Sequence, residues 1–403
     1  VGTLSKKKND LGSRNLFVLG VMTGTSCDGL DASCLEIDPA GWRQAWSFSK
    51  AYPKELRNRV LAFQTPGCRH EIKKWLELHR DLGDWYASTL TAAIAKSSDK
   101  PEVIANHGQT LAHFPGSGNS GMTLQLGDPT RIAAMTGLTV VSQFRTGDMA
   151  VQGQGAPLVP LFHRLLASQL ASEGEGVSFL NVGGIANLTY IAPETRGEPD
   201  ILAFDTGPGN IWIDAAAEKA SGGKLKMDKG GKLADRGNVD RKALMNLLKH
   251  PYFEKPQPKS TGRDDFPISQ FFAKCQAKGA DSVATATALT VESIARAYEK
   301  FVMKKNQPLS QIFVCGGGAK NPTLLEWLRL RLSGVEVEDL SEAGFESQWV
   351  ESSAFALFGF LSLMGTPIGG KWTGAKGFGP PGLITPGENW PEIRRKIYAI
   401  GAS

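Results

Sequence analysis

The chain has 403 residues, 45 Lys and Arg against 40 Asp and Glu, and a hydrophobic fraction of 41 %, which predicts about two soluble globular domains. The mild net charge of +5, with no basic stripe interleaved with aromatic residues, argues against a nucleic-acid partner. No apolar run approaches the roughly 20 residues of a membrane span, and five cysteines without a CxxC pair point away from a disulfide framework or a zinc site and towards a reducing cytoplasm.

In chain order, residues 1–15 are polar, lack the apolar segment of a secretory leader, and read as a disordered tail. The apolar run Phe17 to Val21 leads through TGTSCDG into the alternating LDASCLEI, which predicts a β-hairpin. KELRNRVLAFQ and HEIKKWLELHRDLGDWYASTLTAAIAKS predict helices, the second with Trp75, Leu76, Leu78, Leu82, Trp85 and Leu90 at helical spacing. EVIANHG and LTVVSQF predict short strands. Half a chain later GVSFLNVGGIANLTYIAP repeats the hairpin design. This weak internal repeat predicts a duplicated α/β unit, giving two lobes with a cleft between them. FDTGPGN follows the apolar ILA and opens the helical IWIDAAAEKA. DSVATATALTVESIARAYEKFV predicts a long helix with Ala284, Ala288, Val291, Ala295, Tyr298 and Val302 on one face. The strand IFVCGGG and the helix PTLLEWLRLRL follow. TGAKGFGPPGLITPGENW is too rich in Gly and Pro for regular structure and is expected to lie across a lobe's surface. The expected division is 16–137 plus 373–403 for the first lobe and 138–372 for the second.

Forty-six glycines are well above the average of about 7 %, and they cluster in short loops. Three of these follow predicted strands: Gly24-Thr25-Ser26-Cys27-Asp28-Gly29, Asp205-Thr206-Gly207-Pro208-Gly209-Asn210, and Gly316-Gly317-Gly318-Ala319-Lys320-Asn321. Without a Cβ the backbone N–H groups can turn onto anionic oxygens, and a helix starting after the loop adds its positive end. Neither GxGxxG nor GxxxxGK[ST] occurs in the required context, which disfavours Rossmann and P-loop folds. Phosphoryl transfer asks mainly for positioning and charge neutralisation, which such loops can supply. The carboxylate of Asp205, at the mouth of a glycine turn, can cap the next helix, hold a metal or take a proton.

Together GVMTGTSCDGLDAS, HGQT, QGQGAPLVPLFH, NVGGIAN, FDTGPGN, KSTGRDDF and VCGGGAKNP resemble the anhydro-N-acetylmuramic acid kinases, in order and over about Leu16 to Gly387. The resemblance implies an actin-, hexokinase- and Hsp70-like ATPase fold (ribonuclease H-like) that binds ATP with Mg²⁺ in a central cleft, and a homodimer. It implies cleavage of the anhydro bridge of 1,6-anhydro-N-acetylmuramic acid with phosphorylation of O6, in cell-wall recycling. Asp205 matches the catalytic acid; Gly24, Thr25, Ser26, Cys27, Asp28, Gly29 and Asp31 match the ATP signature. Gly183, Gly184, Asn187, Gly207, Gly209, Asn210, Gly316, Gly317, Gly318 and Asn321 complete the expected nucleotide site. His107, Gln109, Thr110, Arg145, Gly153, Gly155 and Glu351 match the sugar site, with Arg145 expected to meet the lactyl carboxylate. No metal held by protein alone is expected, because the six histidines show no ligand spacing.

The chain departs from the family at Gln143, where an acid is usual, at Gln152, where a glycine is frequent, and at Leu357, where many members have tryptophan. The first two bear on which anhydrosugar fits, so a levoglucosan kinase is the second reading. An actin- or Hsp70-like ATP-binding module without sugar chemistry, or an exopolyphosphatase-like hydrolase, would account for the glycine loops but not for HGQT and QGQGAP.

Overall fold

The computed structural model describes residues 15–401 except 25, 39–40, 66, 117–119, 171, 173, 194–199, 258 and 304–307. The expected tail, apart from Asn15, and the candidate Thr25 therefore lie outside the described residues. The chain divides into two compact units, Val1–Val159 with Trp349–Ser403, and Pro160–Gln348.

In the first unit β1 (Leu16–Thr23), β2 (Gly29–Asp38) and β3 (Gly41–Ala51) form an antiparallel meander. Then β4 (Val103–Phe114) pairs parallel to β1, and β6 (Thr139–Ser142) parallel to β4. The strand β5 (Met122–Leu126) folds back on β4. In the second unit β7 (Val177–Val182), β8 (Ile185–Ile191) and β9 (Ile201–Pro208) form a meander, and β10 (Gln311–Cys315) and β11 (Glu336–Asp339) add on the other side of β7, both parallel. The orders β6-β4-β1-β2-β3 and β11-β10-β7-β8-β9 are the same, with the same strand directions. The duplicated α/β unit expected from two similar hairpins is thus present in the topology of both sheets.

Chemistry explains where the elements pack. The central strand β1, LFVLGVMT, is buried along most of its length, as an apolar run in the middle of a covered sheet must be. Helix Val350–Leu363 crosses it at Gly20, where an added Cβ would lie 1.9 Å from the Ser352 carbonyl oxygen and 2.3 Å from the Ala356 nitrogen. Small residues on the helix, among them Ser352, Ser353 and Gly359, permit that approach, and Ser353 Oγ donates to Ser33 Oγ at 2.9 Å. This packing, with the pairing of β6, puts residues 138–159 and 349–372 in the first unit, where sequence reading had assigned them to the second lobe.

Other expectations shift in the same way. Helix Ile72–Lys96 buries Leu78, Leu82 and Leu90, but Leu76 is 63 % exposed, because it falls in the first turns, off the packed stripe. Helix Ala280–Phe301 is buried around most of its circumference rather than on one face. It is packed among helix Asn210–Ala220, helix Pro322–Arg331 and β9. The strand expected over EVIANHG is present and longer than expected, running on through Gln109 and Thr110 to Phe114, so that HGQT lies in the middle of β4. The Gly- and Pro-rich tail segment contains a short strand, Leu383–Thr385, antiparallel to β6. Its register is set by main-chain pairing that composition does not encode.

Gly20→Val should destabilise the folded state by about 3 kcal/mol, because the helix backbone has no room to retreat; urea unfolding of the two proteins measures it.

Candidate functional site

The glycine segments of the second unit meet at the carboxyl ends of β7, β9 and β10. Gly209 N–H donates to Gly184 O at 2.9 Å and Asn210 N–H to Gly183 O at 2.7 Å, while Asn210 Nδ2 donates to Val182 O at 2.9 Å. A Cβ added at Gly209 would sit 2.3 Å from Gly183 O, and one at Gly318 2.4 Å from Val182 Cγ1, so these glycines let three backbones touch. At Gly183, Gly184 and Gly317 an added Cβ would meet nothing nearer than 3.4 Å. That leaves a bare main-chain surface beside the Asn210 amide, a form that suits phosphate oxygens. Asn321 caps helix Pro322–Arg331 by accepting from Leu324 N–H at 3.1 Å. Arg263, from KSTGRDDF, lies with its guanidinium 3.6 Å from where a Gly184 Cβ would be. No role had been read for it, although a lone arginine beside a threonine-glycine turn is a visible signal.

Asp205 is in β9, directly opposite Asn187 on β8, and β9 continues to Pro208. The cap of the following helix is Gly209, without a side-chain hydrogen bond, so Asp205 is not a helix cap. Its Oδ2 accepts from Thr261 N–H at 2.8 Å, its own N–H donates to Lys259 O at 3.2 Å, and Tyr252 Oη donates to its carbonyl oxygen at 2.7 Å. Burial raises the carboxyl pKa to about 6; the Thr261 N–H and the Lys259 charge limit the rise. Asp214, one turn into helix Asn210–Ala220, is also raised to about 6, by burial and by Asp228, and is held down by Arg263. These partners come from segments distant in sequence, and Lys259, Thr261 and Asp214 were not singled out from it.

In the first unit the loop after β1 is tied to β4. Gln109 Nε2 donates to Gly24 O at 3.1 Å, and Thr23 Oγ1 to Gly108 O at 2.9 Å. Gln64 Nε2 donates to Thr110 O at 2.9 Å and Gln64 Oε1 accepts from Cys27 Sγ at 3.2 Å, while Arg57 Nε donates to Cys27 O at 2.9 Å. Ser26 and Asp28 are exposed at the turn; Cys27 is buried with a thiol pushed up in pKa by desolvation, so it shapes the loop rather than reacting. An added Cβ on Gly29 would lie 2.2 Å from Lys50 O. Asp31, on β2, accepts from the Ser49 hydroxyl.

The expected sugar residues of this unit form a second cluster. Arg145 Nε donates to His107 Nε2 at 2.9 Å, and Arg145 Nη1 donates to Gly155 O at 2.7 Å. The arginine therefore fixes His107 with its proton on Nδ1, and that buried atom has no hydrogen-bond partner among the described residues. Desolvation first, then the Arg145 charge, holds the imidazole neutral. Gly153 would place a Cβ 2.2 Å from Asp148 Oδ2, and Gly155 N–H donates to the same oxygen at 2.7 Å, so the turn is folded around a buried carboxylate. Glu351 is exposed by surface area, yet the protein around it raises its pKa; Arg145 opposes the rise and Asp31 adds to it. Thr110 Oγ1 accepts from Gln125 Nε2 at 3.4 Å. Gln143 and Gln152 have φ of +59° and +71°, left-handed values that favour glycine.

The candidate residues fall into three groups, one in the second unit and two in the first. Three comparisons bear on what they serve. The family model described as anhydro-N-acetylmuramic acid kinase matches residues 16–387. An anhydro-N-acetylmuramic acid kinase of Acidithiobacillus ferrooxidans is 38 % identical over 383 residues, covering 93 % of each chain. One of Shewanella halifaxensis is 39 % identical over 362 residues, covering 88 % of this chain and 94 % of that one. Among solved structures, a ROK family glucokinase from Streptomyces griseus in complex with glucose and AMPPNP aligns over 86 % of this chain and 98 % of that one. It does so with a TM-score of 0.37 and 12 % identity, too distant to carry an argument. Nearly the whole length matches one family model and its full-length relatives, and on that ground the chain belongs to the anhydro-N-acetylmuramic acid kinase family.

Proposed function

We propose that the chain hydrolyses the 1,6-anhydro bridge of 1,6-anhydro-N-acetylmuramic acid and transfers the γ-phosphate of ATP to the released O6, with Asp205 as general base. The observation that carries the role of Asp205 is its setting, a half-desolvated carboxylate with pKa about 6 inside a family-matching segment, engaged in no helix cap. Such a group is ionised near neutral pH and still basic enough to take a proton from water. The water oxygen bonds to C1 as its proton passes to Asp205. The C1–O6 bond breaks with its electron pair on O6, and O6 then attacks the γ-phosphorus as ADP leaves.

The bare backbone at Gly183, Gly184 and Gly317, the Asn210 amide and the Arg263 guanidinium support a phosphate site in the second unit. The loop Gly24 to Gly29 supports one in the first. Mg²⁺, arriving with ATP, supplies charge neutralisation on the phosphates, and the exposed Asp28 is suited to meet it. The unpartnered Nδ1–H of His107 is suited to donate to a sugar oxygen. Arg145 already uses Nε and Nη1 internally, which leaves Nη2 as the donor for a lactyl carboxylate.

Asp205→Asn should lower kcat by about 10²- to 10⁴-fold, and wild-type kcat/KM should fall with acid below pH about 6. In H₂¹⁸O the label should enter at C1 and the phosphate at O6, read by mass spectrometry; unimpaired turnover by the variant, or label absent from C1, would sink the assignment. The same carboxyl affects stability. Its folded pKa lies above its ordinary 3.8, so its contribution is complete below that value and is lost as pH rises through about 6. Asp205→Asn should therefore be more stable than wild type by about 3 kcal/mol at pH 8 and no more stable at pH 3.5, in chemical denaturation at each pH. Arg145→Ala should raise KM for anhydro-N-acetylmuramic acid at least about tenfold while changing that for levoglucosan, which has no carboxylate, much less; equal changes would remove the carboxylate contact.

A further inference from the structure

The second unit holds a cavity of about 300 Å³ to which the glycine segments above contribute only Thr206. Thr206, the extra residue where β9 bulges between Asp205 and Gly207, forms part of its wall, while Asp205 itself does not line it. Lys259, a residue only 9 % exposed, contributes its ammonium to the wall. Its Nζ makes one long hydrogen bond, 3.4 Å to Tyr252 O, and lies 4.7 Å from the Tyr252 ring centre and 4.9 Å from that of Phe301.

The other charged groups on the wall have partners. Arg296 pairs with Glu292 at 2.9 Å, Lys300 with Glu254 at 2.7 Å, and Glu299 with Arg331 at 2.7 Å. Among the described residues Lys259 alone of these lacks an opposite charge at contact distance. A desolvated ammonium is costly without a partner, and here the space beside it is empty of protein. The volume is at the lower end for small-molecule sites, and Phe253 and Ala297 offer apolar wall to a carbon body beside the hydroxyl of Ser293.

Lys259 is also wired to the proposed base. Its carbonyl accepts from Asp205 N–H at 3.2 Å, and two residues on, Thr261 N–H holds the Asp205 carboxylate at 2.8 Å. We propose that this cavity is an effector site for a small organic carboxylate, which pairs with Lys259 and is felt at Asp205 through the segment from Lys259 to Thr261. The charges that act on Lys259 are Lys300, Glu254, Asp205 and Lys255, and burial with Lys300 already lowers its pKa to about 8. Pairing it with a ligand anion withdraws a charge that favours ionised Asp205, so the acid limb of activity moves to higher pH.

The binding claim stands apart from the catalytic reading; only the activity claim rests on it. Titration calorimetry with acetate, benzoate and gluconate, against glucose as the uncharged control, tests the site. At least one carboxylate should bind Asp205→Asn at least as tightly as wild type, and at least about tenfold more weakly to Lys259→Met and to Ser293→Leu, which fills the cavity from the helix. Under that ligand the acid limb of wild-type kcat/KM should shift upward. Binding by none of the three, binding indifferent to both cavity variants, or displacement by ATP or the anhydrosugar would overturn the proposal. Loss of the catalytic role of Asp205 with binding intact would overturn only the coupling.

Discussion

The constraint on which the second unit's chemistry depends is a carboxylate held partly out of water. Desolvation alone would drive Asp205 towards a protonated, inert acid. One backbone N–H, from Thr261, and one buried ammonium, from Lys259, stop the rise at about 6. Both belong to KSTGRDDF, a segment more than fifty residues further along the chain, and Tyr252 pins the Asp205 carbonyl from the same side. A carboxylate tuned in this way is held at a cost in stability, because its charge sits in a poor solvent.

Around that carboxylate the architecture is mainly one of bare backbone. Gly209 is where main chains touch, Gly316 and Gly318 make room for the side chains of Asn181 and Val182, and Gly183, Gly184 and Gly317 leave their surface open. The first three build the end of the sheet and the last three are available to phosphate. In the first unit the corresponding loop is held by side-chain amides: Gln109 and Gln64 grip the carbonyls of Gly24 and Thr110. The two units therefore repeat a topology while fixing their loops by different means.

The buried Arg145 and His107 pair shows how a polar group can be set for one task. A guanidinium against imidazole leaves the histidine neutral with a single tautomer and one unanswered donor. In a structure where buried polar atoms are generally satisfied, an orphan of this kind marks the place where something else is expected to bind.

Much of this was legible in the chain. Hairpins around TGTSCDG and VGGIAN are written in strand alternation and glycine, and the helices Lys54–Gln64 and Pro322–Arg331 in apolar spacing and, for the second, an Asn-Pro start. The motif order disclosed the family and singled out Asp205. Sequence could not show that the strand of EVIANHG runs on to Phe114, that Leu383–Thr385 pairs with β6, or that residues 138–159 belong with the first unit, because those depend on main-chain partners far away. Nor could it show the pKa of Asp205 or the lone ammonium of Lys259. Local propensity and periodicity are properties of neighbours in the chain, whereas desolvation and charge pairing are set by neighbours in space.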